Sequence, residues 1–151
     1  MKKLILLLFI PLVSFSQTYE EVMSVNSYEQ FTRIMLENGY EFSEKNDENV
    51  QFTLNKRQEM SAIKGDFVEV MDATAIYSLT YNFFIITFNK SDFTPKFTFD
   101  SIYEKVKKDC EFFSINDNQF ACYDCPKAQY VGKIGFTSKD GWGVIMNFTS
   151  L

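Results

Sequence analysis

The chain has 151 residues, a formal net charge of −5 and no histidine. Without histidine it lacks the commonest general base and metal ligand, which excludes Ser-His-Asp and Cys-His catalysis, His-ligated zinc and the metalloprotease helix motif. The acidic surplus argues against sequence-independent binding of nucleic acid and against docking on anionic lipid, because both need a basic face.

Residues 1–16 have the layout of a secretory signal peptide. A head with two lysines precedes an apolar run over residues 4–13, and small residues stand before a cut at Gln17. The run is shorter than the ~20 residues that span a bilayer. We therefore expect export to a bacterial periplasm or the extracellular medium. Residues 17–151 would form a single secreted domain, with no membrane insertion after signal cleavage.

The first part of the mature chain predicts one helix and a pair of strands. Residues 17–26 are predicted to be an extended lead-in. Ser27 and Gln30 match a capping box, apolar residues follow at helical spacing, and Gly39 is placed to end the helix. Residues 40–44 predict a short strand. Residues 50–54 predict a half-buried strand, with a wet face formed by three polar side chains, Gln51, Thr53 and Asn55.

The middle of the chain is rich in β-branched and aromatic residues. A short strand is predicted over residues 67–71, and two more between Thr74 and Asn89, of which the second is the more fully buried. Residues 91–96, with Pro95, predict a connector.

The pattern of a helix followed by strands then returns. Thr98 or Asp100 is predicted to cap a second helix that ends near Cys110, with lysines in its last turns. Strands are predicted over residues 111–115 and 119–123, and a last hairpin over residues 129–136 and 142–148.

These elements predict an internal repeat. An offset of 71 places the helix and first strand of one part on those of the other, and Phe83–Asn89 corresponds to Trp142–Phe148. The repeats cover about residues 27–92 and 97–151. The predicted fold is α+β, a tandem repeat of one helix plus about four antiparallel strands. Joined edge to edge, the repeats would place both helices on one face of a sheet.

This order of elements resembles the tandem-repeat fold of the β-lactamase inhibitor protein and the related PepSY-like secreted proteins of bacteria. The resemblance covers most of the mature chain as an order of elements, without a diagnostic motif, so no binding residue is carried over. It implies a secreted binding module that holds a protein partner on a concave, aromatic-bearing sheet. Since fold does not establish function, the implied function is an analogy.

The three cysteines, Cys110, Cys122 and Cys125, are candidates for a disulfide outside the cytoplasm. Cys110 can pair with either Cys122 or Cys125, which leaves one thiol over. Cys122 and Cys125 also have the spacing of a redox pair, although they end a strand instead of beginning a helix. A structural disulfide is the preferred interpretation, and a reactive thiol is the alternative.

Most aromatic residues are predicted to be core, and a few tyrosines and the tryptophan are predicted to bind a partner on the wet face. The candidates are Tyr77, Tyr81, Tyr123, Tyr130 and Trp142. No catalytic, metal-binding or cofactor-binding pattern is found in the sequence. The leading hypothesis is therefore a non-enzymatic binding or inhibitor-like module with a protein partner. The alternatives are a periplasmic thiol-active protein using Cys122 and Cys125, and a structural envelope protein with no small-molecule site.

Overall fold

The computed structural model describes residues 17–63, 65–126, 128 and 131–148. The predicted signal peptide over residues 1–16 and the candidate Tyr130 lie outside the described residues. Within the described residues the fold is α+β, as predicted, with three helices and ten strands. The helices are α1 (Tyr19–Ser24), α2 (Tyr28–Glu37) and α3 (Phe93–Asp109). The strands are β1 (Glu41–Lys45), β2 (Asn49–Leu54), β3 (Arg57–Met60), β4 (Phe67–Val70), β5 (Ala73–Ser78), β6 (Phe83–Asn89), β7 (Glu111–Ile115), β8 (Ala121–Asp124), β9 (Lys133–Lys139) and β10 (Trp142–Phe148).

Eight strands form one antiparallel sheet in the order β1-β2-β5-β6-β10-β9-β8-β7. Its middle is the pairing of β6 with β10, which we call the seam, where Ile86 lies opposite Ile145. The first four sheet strands in the chain lie on one side of the seam and the last four on the other. Strands β3 and β4 form a separate two-stranded sheet.

Each side of the seam has the same order of elements, a helix followed by four strands that run from the outer edge to the seam. The helix of the second side, α3, begins at Phe93, before the predicted start of the second repeat at residue 97. The common order agrees with the predicted duplication, but it is an agreement of topology alone. The duplication itself stays a prediction.

The segment predicted to be an extended lead-in contains a helix, so that prediction is wrong. The side chain of Thr18 accepts a hydrogen bond from the backbone N–H of Glu21, and the Glu21 carboxylate accepts one from the backbone N–H of Thr18. This reciprocal capping box satisfies two of the N–H groups that a helix leaves unpaired. Six residues with such a cap are enough for a helix that packs on the core through Val22 and Met23.

The helix predicted after Ser27 is confirmed. The Ser27 side chain accepts from the backbone N–H of Gln30 at 3.2 Å, which caps the N-terminus of α2. At the other end Gly39 has a φ of +79°, a left-handed conformation that glycine adopts without steric cost.

The predicted connector over residues 91–96 is wrong, because α3 already begins at Phe93. Its N-cap is Asp92, and neither Thr98 nor Asp100 caps it. Pro95 lies in the first turn, where the N–H that proline lacks would have no partner within the helix. The Thr98 hydroxyl instead donates to the carbonyl of Thr94 at 3.1 Å, inside the helix.

Helices α2 and α3 pack on the same face of the sheet, as predicted, and we call it the helix face. Phe31 of α2 packs against Phe52, Tyr77 and Phe84, with ring centroids 5.2 to 6.0 Å apart. On the other side of the seam, Tyr103 of α3 stacks on Phe136 at 4.8 Å. These contacts belong to one hydrophobic core that includes buried residues from both sides of the seam.

Gly143 of β10 allows α3 to approach the sheet closely. A Cβ at this position would lie 2.7 Å from Cδ2 of Phe99, which is closer than side-chain carbons pack. The Phe99 ring also contacts Phe88 and Phe136, at centroid distances of 6.1 and 6.0 Å. Phe99 therefore fills the space that a side chain at Gly143 would need.

Candidate functional site: the open face of the sheet

The face of the sheet opposite the helices, which we call the open face, carries a row of residues in register across six strands. Successive partners in this row are Gln51, Ile76, Ile85, Met146, Gly135 and Cys122. Neighbouring strands lie about 4.8 Å apart, so the row is about 24 Å long. Ile76, Ile85 and Met146 are adjacent and half-buried. We call these three residues the apolar strip.

A second row beside the apolar strip consists of β-branched residues. Its successive partners are Thr53, Thr74, Thr87, Val144 and Thr137. Such pairs stabilise a sheet and carry no charge. Thr53 lies on the predicted face but is buried, so its predicted exposure to solvent is wrong, whereas Gln51 is half-buried and Asn55 is exposed. The two rows together give the open face an uncharged middle.

Two of the predicted partner-binding residues lie at the ends of this surface. Tyr81, in the turn before β6, is 70% exposed, and its ring stacks on Phe83 with centroids 6.4 Å apart. Trp142 is 37% exposed and lies opposite Asn89, at the far end of β6. A strand rises about 3.4 Å per residue, so Phe83 and Asn89 are about 20 Å apart. Aromatic side chains therefore lie on both sides of the apolar strip, toward the two ends of strand β6.

Two other candidates, Tyr77 and Tyr123, are buried on the helix face, so their predicted exposure is wrong. Tyr77 packs against Tyr28 and Phe31 of α2. The Tyr123 and Tyr103 hydroxyl oxygens lie 3.3 Å apart. Burial raises the pKa of the Tyr77 and Tyr123 phenols, and the hydrogen bond with Tyr103 adds to the rise at Tyr123. Because side chains alternate along a strand, both rings lie on the helix face. The sequence pattern alone does not show which face of the sheet the helices cover.

The charged side chains of the open face lie toward its margins. Glu41 and Glu44 stand on the edge strand β1. Near the opposite edge, Glu111 lies opposite Asp124, which in turn lies opposite Lys133. An apolar middle with a polar, charged margin is the usual anatomy of a protein–protein interface.

The cysteines divide between a disulfide and a buried thiol. Cys110, at the end of α3, is bonded to Cys125, after β8, which confirms the predicted structural disulfide and identifies the pair. Cys122 is a buried free thiol on the open face, and its Sγ lies 3.4 Å from the carbonyl oxygen of Phe120. Because Cys125 is bonded to Cys110, Cys122 and Cys125 do not form a disulfide with each other.

The sequence pattern does not reveal the apolar strip. It predicts that the strand Phe83–Asn89 is more fully buried, but the side chains of this strand alternate between buried and half-buried. Both faces of this strand carry apolar residues, so its pattern lacks the polar alternation that would indicate an open side. The sequence feature that indicates the apolar strip is the position of Ile76 and Ile85. These residues lie opposite each other when the two strands predicted between Thr74 and Asn89 pair as a hairpin.

The described residues hold no group of three or more Cys, Asp or Glu side chains placed to bind a metal ion. The same part of the chain has no helix long and apolar enough to cross a membrane.

No protein-family model, no curated protein and no solved structure matches this chain. A function is therefore inferred from the chemistry of the open face.

Proposed function

We propose that the chain is an exported, non-enzymatic binding module that holds a protein partner on the open face of its sheet. The observation that carries this proposal is the uncharged middle of that face, with the apolar strip at its centre and Tyr81 and Trp142 at its ends. Tyrosine and tryptophan supply much of the binding energy of protein interfaces, and a charge-free centre avoids the cost of burying unpaired ions.

The proposed location outside the cytoplasm is supported by two features. The Cys110–Cys125 disulfide is of the kind that persists in oxidising compartments. The basic and apolar pattern of residues 1–16 is typical of a cleaved leader. The resemblance to the β-lactamase inhibitor protein and PepSY-like proteins, in the order of elements, supports the same function by analogy.

Site-specific photo-cross-linking in the bacterial cell that produces the protein tests the proposal. A benzophenone side chain replaces Tyr81 at the margin of the open face, and in a matched variant it replaces Phe97, which is exposed on α3. We expect a discrete protein adduct from position 81 and none from position 97. An Ile85→Lys substitution should reduce the adduct at position 81 by about tenfold, because it places a charge in the apolar strip.

Circular dichroism and thermal unfolding serve as the folding control for Ile85→Lys. Absence of an adduct at position 81, or the same adduct from both positions, would refute a partner on the open face.

Once the partner is identified, Trp142→Ala should weaken its binding by about tenfold, since truncating an interface tryptophan costs on the order of 1 to 2 kcal/mol. The matched substitution is Leu36→Ala, an exposed apolar residue on α2, which should leave the dissociation constant unchanged. Calorimetric titration of both variants measures the difference. Equal weakening by the two substitutions would contradict a role for the open face.

A further inference from the structure

Strands β3 and β4 form a hairpin that lies outside the eight-stranded sheet. We call residues 57–70 the finger, which connects the end of β2 to the start of β5. Its pairing runs from Arg57 and Val70 at the base to Met60 and Phe67 near the tip. Apart from half-buried Ser61, the described residues from 57 to 69 are exposed. The finger therefore contributes little to the core.

The tip of the finger is apolar. Met60 and Phe67 face each other and are both exposed, and Ile63 in the turn between them is 95% exposed. A clustered group of exposed apolar side chains marks a contact surface more often than it contributes to folding.

Ionic contacts hold the base of the finger. The Arg57 guanidinium contacts Glu59 at 2.7 Å, Asp72 at 2.7 Å and Asp92, the N-cap of α3, at 3.2 Å. The Lys56 ammonium lies 2.9 Å from the Glu69 carboxylate. Isolated two-stranded hairpins are marginally stable in water, so these contacts help to fix the finger on the sheet and on α3.

The same contacts pair both carboxylates of the finger's strands, Glu59 and Glu69, with cations. The sequence between the two strands contains one acidic and one basic residue, Asp66 and Lys64. The tip thus presents aliphatic and phenyl groups with little net charge and without the Tyr, Trp or Arg anchors that are typical of protein interfaces. A lipid surface requires apolar area and no directional hydrogen bonds, so these observations favour lipid over a protein cleft.

We propose that the finger is a peripheral membrane contact, in which Met60, Ile63 and Phe67 enter the headgroup region of a zwitterionic bilayer. The acidic surplus of the chain disfavours anionic lipid. A contact of this kind differs from the insertion of a membrane span. The sequence predicts that the mature chain has no such span. It is also separate from the open face and does not depend on the protein partner proposed above.

Flotation with phosphatidylcholine vesicles tests the contact on the chain from residue 17 onward. We expect the protein to float with the vesicles and Ile63→Ser to lower its partition coefficient by about tenfold. The matched control is Ile115→Ser, which removes an isoleucine that is 65% exposed on the edge strand β7. This control should leave partition unchanged. Failure of the unmodified protein to float, or equal loss in both variants, overturns the proposal.

Tryptophan emission then locates the contact. A Phe67→Trp variant with Trp142→Phe has its single tryptophan on the finger, whereas the unmodified chain has its single tryptophan on the open face. We expect a blue shift on vesicle addition for the finger reporter only. A shift of Trp142 instead would overturn the assignment to the finger. A photo-cross-linker at position 63 that joins a protein, in a chain that does not float, would overturn it in favour of a protein cleft.

Discussion

Gly143 shows how a single residue position controls the distance between α3 and the sheet. The need for glycine comes from the neighbouring Phe99 ring, which occupies the place of a Cβ, and involves no left-handed backbone. The ring is buried between Phe88 and Phe136, so it has little room to move away. A larger residue at position 143 would therefore strain the helix–sheet contact.

We expect Gly143→Ala to lower the free energy of unfolding by about 1 to 3 kcal/mol, the usual cost of overpacking a core. Urea denaturation measures the loss. Gly132→Ala is the matched control, because an added Cβ there meets no heavy atom within 4 Å. Its stability should be unchanged or slightly higher, since alanine restricts the unfolded chain. Equal losses in the two variants would show that the Phe99 contact is not the cause.

Tyr40 makes the stability of the fold depend on pH in the alkaline range. Its hydroxyl is buried and lies 3.2 Å from Oε1 of Gln17. Burial, with a smaller contribution from the negative charge of Asp72, raises the pKa of this phenol well above its ordinary value of 10.0. The neutral Tyr40 phenol favours the folded state fully below about pH 10. This contribution to stability decreases as the pH rises toward the folded-state pKa, because Tyr40 ionises first in the unfolded chain.

We expect the free energy of unfolding to fall above about pH 10. In the Tyr40→Phe variant the free energy of unfolding should fall less steeply, by up to about 1.4 kcal/mol per pH unit. Urea unfolding at about pH 8 and about pH 11 compares the two proteins. Identical slopes would contradict the effect.

At the scale of elements, α3 is attached to other parts of the fold at both ends. Its N-cap Asp92 contacts Arg57 at the base of the finger, and its C-cap Cys110 is bonded to Cys125 after β8. The hydrogen bonds to Asp72, Glu59 and Asp92 raise the pKa of the Arg57 guanidinium, which therefore stays charged. The helix is thus fixed at one end to the finger and at the other end to the segment that follows β8.

The disulfide closes a loop with a sequence separation of 15. Reduction of such a disulfide lowers the free energy of unfolding by about 3 kcal/mol. We expect Cys110→Ser to lower the free energy of unfolding by this amount and to abolish the effect of added reductant. Cys122→Ala should keep the reductant effect, because Cys122 is a free thiol. Urea unfolding with and without dithiothreitol compares the variants. Loss of the reductant effect in Cys122→Ala would contradict the Cys110–Cys125 pairing.

Several elements could be predicted because their signals are local. Ser27 with Gln30, and the hairpin turn before Trp142, determine their own geometry within a few residues. The start of α3 is not evident from the sequence, because Pro95 is typical of a connector and is also tolerated in the first turn of a helix. The sequence leaves the partner of Cys110 open, since Cys122 on β8 and Cys125 just after it are only three residues apart. The open face depends on where the helices pack, which is a property of the whole chain.

At the scale of the whole molecule, the seam unites the two sets of four strands. The core runs beneath it, from Phe31 and Phe52 on one side to Tyr123 and Ile134 on the other. The ladder between β6 and β10 is continuous over five residue pairs. A side that separated from the other would expose both the ladder and half of the core.

We therefore expect one cooperative unfolding transition. Trp142 fluorescence reports from one end of the seam, where this residue lies opposite Asn89, and far-UV circular dichroism reports from all helices and strands. The two probes should give the same urea midpoint, as a two-state transition requires. Separate midpoints would indicate that the two sides unfold independently.

The seam also has a kinetic consequence. Ile86 and Ile145 are roughly 60 residues apart in the chain, so their pairing raises the contact order and slows folding. Until β10 arrives, β6 presents an unpaired apolar edge that can template association with another molecule. Refolding yield should therefore fall with rising protein concentration, because bimolecular aggregation competes with a slow intramolecular closure.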